Sequence, residues 1–193
     1  MKIALAGVSH HTASIELRER VAIDPKAAAA LAGELAGNGG GRTEAVVLST
    51  CNRTELYVAS PDHDAGEVAD RALLALAGAD ADALAPVAYR LSDDSAALHL
   101  FRVAAGLDSL VPGEGEILGQ VRDAYEAGAA GPLLDRTFRM ALHAGRREAA
   151  IIPLEPPVAI DDVRIITGSG TAGIFQWNVA SKSAGNLNST TVL

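Results

Sequence analysis

The sequence has little cysteine and few aromatic residues. Of its 193 residues only Cys51 is a cysteine, and 4% are aromatic. A single cysteine cannot form an internal disulfide, and an exposed thiolate is oxidised outside a reducing compartment, so we expect a cytoplasmic protein. No Cys or His pair has metal-ligand spacing, so no metal site is predicted. No apolar run approaches the roughly 18 residues of a membrane span, and we predict none.

Positive charge is also scarce. The chain has 16 Lys and Arg against 24 Asp and Glu, which gives a net charge of −8. This charge balance argues against sequence-independent binding of nucleic acid, because neutralising the phosphates needs a basic surface. A local RNA-binding patch is one interpretation of Arg136, Arg139, Arg146 and Arg147 on a predicted helix. An ordinary solvated helix face is the other.

The apolar residues, 49% of the chain, predict a globular α+β fold. Over residues 1–91 the pattern has the order β-α-β-β-α-β, which is the ferredoxin-like, split-βαβ arrangement with two helices on one sheet face. The predicted strands are 2–8, 44–50, 53–59 and 87–91, and the predicted helices are 15–21, 24–36 and 64–77. A helical subdomain is predicted over 92–147, with helices near 93–106, 114–128 and 132–147. Ser92 and Asp24 are the expected helix caps.

Cys51 follows the apolar stretch 45–48 at the end of a predicted strand. If the chain stays extended, Cys51, Arg53 and Glu55 project to one face, which places a thiol beside a guanidinium. That setting stabilises a thiolate and favours a nucleophile. The alternative is that an isolated cysteine is a small buried apolar residue. Four polar positions directly after it favour the functional interpretation.

Several segments together resemble glutamyl-tRNA reductase, the first committed enzyme of five-carbon tetrapyrrole synthesis. They are Ser49–Glu55, Gly7–Ala13 with Glu16–Arg20, Leu98–Phe101 with Gly106–Glu114, and Ile117–Val121. The resemblance covers residues 1 to about 147, and ordered motifs are harder to obtain by chance than a single one.

The resemblance implies that Cys51 attacks the ester carbonyl of glutamyl-tRNA, and that hydride from NADPH reduces the thioester to glutamate-1-semialdehyde. It further implies that His99 assists at the carbonyl and that Arg53 binds the substrate carboxylate. A lone histidine at the edge of an apolar helix stripe is otherwise more often a core residue. The remaining residues implied to hold the glutamyl group are Thr50, Ser109, Glu114 and Gln120. Arg18 and Arg20 should lie near the nucleophile, and the next enzyme of the pathway is a candidate partner.

Residues 148–193 depart from the family pattern. Prolines at 153, 156 and 157 would stop a helix. An apolar stretch then leads into Gly168, Gly170 and Gly173, a GxGxxG fingerprint of an incomplete Rossmann-like βα unit. No Asp or Glu follows Asp162, so the acid that binds the ribose in that fingerprint is missing and NADPH binding by this chain is in doubt.

From this departure we expect a truncated or rearranged relative. Such a chain should be limited to thioester formation and glutamyl-tRNA esterase activity, and it should be a monomer. Two other interpretations stay open. One is a non-catalytic ferredoxin-like regulatory or interaction module. The other is a complete nucleotide-binding protein built on Gly168–Gly173.

Overall fold

A computed structural model describes residues 2–38, 42–61, 64–110 and 115–148. The first part of this chain has the predicted order of elements. It consists of β1 Lys2–Ser9, α1 Ile15–Val21, α2 Pro25–Asn38, β2 Glu44–Ser49, β3 Arg53–Ser60, α3 Ala65–Ala77, a 3-10 turn at Gly78–Asp80, α4 Ala81–Leu84 and β4 Tyr89–Ser92. Three further helices follow, namely α5 Asp93–Ala104, α6 Glu116–Ala127 and α7 Pro132–Glu148.

The four strands form one antiparallel sheet with the order β2-β3-β1-β4. In this order β3 separates β1 from β2, and β1 separates β3 from β4, so each β-α-β unit is split by a strand of the other. The mixed α and β composition is therefore confirmed. The division into a ferredoxin-like subdomain and a helical subdomain, with boundaries after 91 and 147, stays a prediction.

Helices cover both faces of this sheet. On one face the side chains of Ala4, Ala6 and Val8 pack with α2 and α3 in a core rich in alanine and valine. On the other face Ile3 and Leu5 pack with α5, α6 and α7. Since successive strand residues point to opposite faces, each strand contributes to both cores. The later helices thus form a third layer on the sheet that carries Cys51.

Two helix starts differ in how they are capped. The Asp24 carboxylate accepts a hydrogen bond from the Ala27 backbone N–H at 2.8 Å, as its position predicts. Ser92 occupies the N-cap position of α5, but its side chain makes no capping hydrogen bond. The next residue, Asp93, instead accepts from the Ile3 N–H of β1 at 3.3 Å. The start of α5 is thereby tied to the sheet by a contact distant in sequence.

Some predictions lie outside the described residues. They concern Glu114, the glycines Gly168, Gly170 and Gly173, and the tail from 149 onward. Across the part of the chain that is described, none of the helices combines the length and the apolar character required to cross a membrane.

Candidate active site around Cys51

Cys51 lies at the tip of the hairpin between β2 and β3. The Thr50 N–H donates to the Arg53 carbonyl at 2.8 Å, which closes a turn with Cys51 and Asn52 at its centre. The Thr50 Oγ1 accepts from the backbone N–H groups of Asn52 and Arg53 at 3.2 Å each. The expectation that the chain stays extended through Cys51 is wrong, because two antiparallel strands need a turn between them. Cys51 is consequently exposed while Arg53 is buried.

Two earlier elements hold this turn in place. Arg18 of α1 donates from Nη1 to the Cys51 carbonyl at 2.7 Å and to the Asn52 Oδ1 at 3.4 Å. The His10 backbone N–H, just after β1, donates to the Asn52 carbonyl at 2.9 Å. Arg18 therefore lies at the Cys51 turn, as expected. Arg20 points elsewhere, with its Nε 3.4 Å from Asp80 and both side chains exposed.

Beyond the turn, β3 carries a buried polar row. Arg53, Glu55 and Tyr57 alternate along the strand on the face that meets α5 and α7, where Tyr57 joins the apolar core. Arg53 is 2% exposed and Glu55 is 0% exposed. The Arg53 Nη1 donates to the Glu55 Oε1 at 3.0 Å. A buried ion pair of this kind persists only when its remaining hydrogen-bonding capacity is also satisfied.

Glu55 is the centre of that row. Its Oε1 also accepts from the Tyr89 hydroxyl at 2.6 Å and lies 2.8 Å from the His99 Nε2, and its Oε2 accepts from the Tyr57 hydroxyl at 2.7 Å. Burial by itself raises the pKa of a carboxyl group. Here the hydrogen bond and charge of His99, followed by the charge of Arg53 and the Tyr57 hydrogen bond, outweigh burial and lower the pKa of Glu55 to about 2. Glu55 is an anion at neutral pH.

The pKa values of three neighbouring side chains are raised, opposite to that of Glu55. Burial, and then the charge of Glu55, raise the pKa of Tyr57 and of Tyr89 well above the ordinary range, so both phenols stay protonated donors. Burial would lower the pKa of Arg53, but the charge of Glu55 and the interactions with Tyr89 and Asp108 raise it. The network consists of fixed donors around one fixed acceptor.

Arg53 also binds the segment after α5. Its Nη1 donates to the Asp108 Oδ2 at 3.0 Å, and its Nη2 donates to the Asp108 carbonyl. The His11 Nε2 lies 3.7 Å from the Asp108 Oδ1. Ser109 is the next residue, and its N–H donates to the Gly106 carbonyl at 3.4 Å. Arg53 thus holds the loop that presents Ser109.

Three buried nitrogen atoms have no partner among the described residues. They are the His10 Nδ1, the Arg18 Nε and the Arg53 Nε. Burial, followed by the charges of His11 and Arg53, lowers the pKa of His10, which favours its neutral form. An unpaired buried polar atom costs free energy unless a water or a ligand completes it. All three atoms belong to residues around the Cys51 turn and the Arg53 network.

The structure brings some predicted site residues together more closely than others. Arg53 and His99 share the Glu55 oxygen, Ser109 adjoins Asp108, and Thr50 shapes the turn at Cys51. Gln120 lies on α6, half-buried, and donates to the Glu116 Oε1 at 3.1 Å within its own helix. Among the described residues no group of three or more His, Cys, Asp or Glu could hold a metal ion.

The sequence reasoning assigned no role to Glu55 or Asp108 and did not consider Tyr57 or Tyr89. One signal was available for the two of these residues that lie on β3. Glu55 and Tyr57 follow Arg53 at intervals of two positions, and buried polar residues on one strand face require partners. Asp108 and Tyr89 offered no such signal, because their partners come from other elements.

Comparisons with known proteins point to one family. The family model for the N-terminal domain of glutamyl-tRNAGlu reductase matches residues 6–150. The glutamyl-tRNA reductase of Rubrobacter xylanophilus is 43% identical over 194 residues, which cover 97% of this chain and 41% of that protein. The glutamyl-tRNA reductase of Pseudomonas fluorescens is also 43% identical, over 76% of this chain and 35% of its own length.

A solved structure is similar as well. Glutamyl-tRNA reductase from Methanopyrus kandleri matches with a TM-score of 0.59 and 27% identity, over 82% of this chain and 37% of that chain. The present chain therefore spans about two fifths of the length of these relatives. The family model covers most of the chain, including the turn at Cys51 and the network at Glu55. The chain belongs to the glutamyl-tRNA reductase family, and it contains the family's N-terminal domain.

Proposed function

We propose that this domain takes the glutamyl group of glutamyl-tRNA onto the Cys51 sulfur as the first half of glutamyl-tRNA reduction. The observation that supports the proposal most directly is the position of Cys51. Its side chain is exposed at the tip of a turn whose backbone is held by Arg18 and His10. A nucleophile needs both access and a fixed position, and this turn provides them.

The proposed step is an acyl transfer. The Cys51 sulfur gives up its proton and attacks the ester carbonyl carbon, the bond from that carbon to the ribose oxygen breaks, and the ribose oxygen takes up a proton to give free tRNA. The product is a thioester at Cys51, which accepts hydride more readily than the resonance-stabilised ester it replaces. NADPH, when bound, would supply that hydride, giving glutamate-1-semialdehyde and regenerating the thiolate.

Arg53 is the proposed binder of the substrate carboxylate, but most of its nitrogen atoms already have partners. Its Nη1 and Nη2 already donate to Glu55 and Asp108, while its buried Nε has no partner in the described chain. A bidentate pair with the substrate would therefore require the Asp108 carboxylate to move aside. The Nε has a free donor, but a substrate oxygen would reach this buried atom only if the residues that cover it moved. We propose Thr50, Ser109, Gln120 and Glu114 as the remaining contacts to the glutamyl group.

The tRNA itself needs a cationic surface that the overall charge does not provide. Arg136, Arg139 and Arg146 are exposed along α7, which supports the proposed local patch. Arg139 also donates to Asp135 at 2.9 Å, an exposed pair that RNA phosphate could replace. Substituting these three arginines should weaken glutamyl-tRNA binding and reduce its salt dependence.

The acyl-transfer proposal is tested with glutamyl-tRNA labelled in the glutamyl group. Without NADPH, water should hydrolyse the thioester, so the chain should release free glutamate and uncharged tRNA. Cys51→Ser should abolish this release, and Cys51 should carry the label after rapid acid quenching. The matched control is Asn52→Ala, the other residue at the tip of the turn, which should retain labelling.

The same assay with NADPH decides how far this chain proceeds along the reaction. Free glutamate would support our expectation of an esterase, whereas semialdehyde formed at a good rate would contradict it and support full reductase activity. Release that survives in Cys51→Ser would disprove the nucleophile. No labelling and no release in any condition would favour a non-catalytic binding module.

A further inference from the structure

The Glu55 carboxylate is the point at which the buried polar network meets His99. Four side chains from β3, β4 and α5 converge on its two oxygens, and two of those side chains are Arg53 and His99. We propose that Glu55 is a positioning residue, which fixes the proton of His99 on Nε2 and so leaves Nδ1 to act at the glutamyl ester. This inference rests on the acyl transfer proposed for Cys51.

The direction of the hydrogen bond follows from charge. An ionised carboxylate can only accept hydrogen bonds, so the nitrogen that faces it must carry the hydrogen. Arg53 and the hydroxyl groups of Tyr57 and Tyr89 donate to Glu55 whether or not His99 is charged, and these contacts favour its ionised form. The 2.8 Å contact therefore runs from the His99 Nε2–H to the Glu55 Oε1. In a neutral imidazole this assignment makes Nδ1 the basic atom.

The orientation of the His99 ring is fixed from several sides. The neighbouring α5 residues Ala96 and Leu100 are fully buried against the sheet, which fixes the helix. The Tyr89 ring lies 5.3 Å from the His99 ring, and its hydroxyl donates to the same Glu55 oxygen. The free rotation that remains about the His99 side chain is removed by its bond to Glu55. A base whose orientation is set by a third group is the arrangement that activates nucleophiles in hydrolases.

This arrangement balances the proton in the proposed acyl transfer. As the sulfur–carbon bond forms, Nδ1 receives the thiol proton, and His99 becomes a cation that the Glu55 anion stabilises. As the carbon–oxygen bond breaks, Nδ1 returns that proton to the ribose oxygen. The Nε2 proton stays on its bond to Glu55 throughout. The same Oε1 also accepts a hydrogen bond from Arg53, but the two bonds from Arg53 to Asp108 hold that guanidinium without Glu55.

The inference is tested first by NMR, without substrate. In the 15N-labelled wild-type chain, long-range proton–nitrogen correlations should show His99 protonated on Nε2, with His99→Gln used for assignment. Glu55→Gln should give a mixture of tautomers or reverse them. Tyr57→Phe is the matched control, since it removes one neutral donor to Glu55 but no charge, and it should keep the wild-type tautomer. His99 protonated on Nδ1 alone in the wild type would overturn the proposal.

Kinetics of glutamyl-tRNA cleavage provide the second readout. Removing a general acid–base contribution should lower kcat of Glu55→Gln by about 100-fold, with KM changed by less than about threefold, because the residue acts through His99. Glu55→Asp keeps the charge and should recover part of the loss. An equal effect in Glu55→Gln and Tyr57→Phe would mean that Glu55 only supports the fold. If Glu55→Gln does not fold, the wild-type tautomer and Glu55→Asp kinetics decide.

The two proposals fail in different ways. If Cys51→Ser retains cleavage, the nucleophile is wrong and so is the use of Nδ1, even where NMR finds the proton on Nε2. If Cys51→Ser is inactive but His99 is protonated on Nδ1, the acyl transfer stands and the role of Glu55 is disproved.

Discussion

The buried carboxylate of Glu55 should make the stability of this protein depend on pH in a specific way. Its pKa is about 2 in the folded chain, against an ordinary value of 4.5. A carboxyl group with a lowered pKa stabilises the fold above its unfolded pKa, and this contribution is lost as pH falls from about 4.5 toward 2. At about 1.36 kcal/mol per pKa unit, the full contribution of the ionised form is about 3 kcal/mol.

The assay is urea unfolding of the wild type and of Glu55→Gln between pH 7 and pH 3.5. Carboxyl groups distant from Glu55 also titrate in this range, but they contribute equally to both proteins, so the difference reports mainly on Glu55. The linkage relation predicts that the stability advantage of the wild type shrinks by about 1.4 kcal/mol by pH 3.5. Tyr57→Phe keeps the carboxylate and loses one of the hydrogen bonds that lower its pKa, so it should retain most of the wild-type pH dependence.

A constant difference between wild type and Glu55→Gln over this range would refute the reasoning, because it would mean that Glu55 takes up no proton on unfolding at these pH values. A difference that grows on acidification would mean that the folded pKa of Glu55 lies above the ordinary value, with burial outweighing the donors. Only a folded pKa near or above neutral pH, seen as a difference that already grows between pH 7 and pH 6, would remove the basis for the direction of the hydrogen bond from His99.

Three further predictions follow from other contacts. Gly33 lies in an exposed stretch of α2 with open space around its Cα, so Gly33→Ala should stabilise the chain by about 0.5–1 kcal/mol. Gly145→Ala in α7 would place a Cβ 2.4 Å from a carbonyl of α5 and should destabilise the chain. Thermal unfolding in which both variants shift the melting temperature in the same direction would contradict this prediction. Glu44 is buried and accepts hydrogen bonds from two backbone N–H groups in the first turn of α7. Glu44→Ala should therefore lower the free energy of unfolding, measured in urea, by about 2–3 kcal/mol. A decrease below about 0.5 kcal/mol would show that α7 does not depend on this cap. Arg18→Ala should slow labelling of Cys51 by glutamyl-tRNA, because the turn loses the hydrogen bond that Arg18 donates to the Cys51 carbonyl. Arg20→Ala, which removes an exposed ion pair on the same helix, should not slow labelling. Equal effects of the two substitutions would mean that the contact of Arg18 with the turn is not important for labelling.

Much of the fold could be predicted from local patterns. The order of strands and helices follows from apolar periodicity together with Gly residues in turns and Asp residues at helix caps. The structure places these elements within a few residues of the predicted bounds. The third layer was harder to foresee. The helices after residue 92 are amphipathic, but their own sequences do not indicate that their apolar faces pack against the second face of the sheet.

The candidate site could also be predicted from the sequence only in part. The motif around Cys51 and its ordered companions identified the family, which the comparisons confirm. The extended-chain assumption failed at Cys51, because the turn is set by antiparallel pairing of the flanking strands and by Arg18 from another helix. The convergence of Tyr89, His99 and Asp108 on the β3 row joins residues between 34 and 55 positions apart.

The sequence by itself determined the order of the elements and the membership of the family, since both depend on residue types at short spacing. Only the tertiary structure decided that Cys51 lies exposed on a turn, while Arg53 lies buried beside Glu55. The physical reason is that burial and electrostatic pairing depend on which distant segments meet. Spacing along a single strand cannot show that a carboxylate will gather donors from other elements.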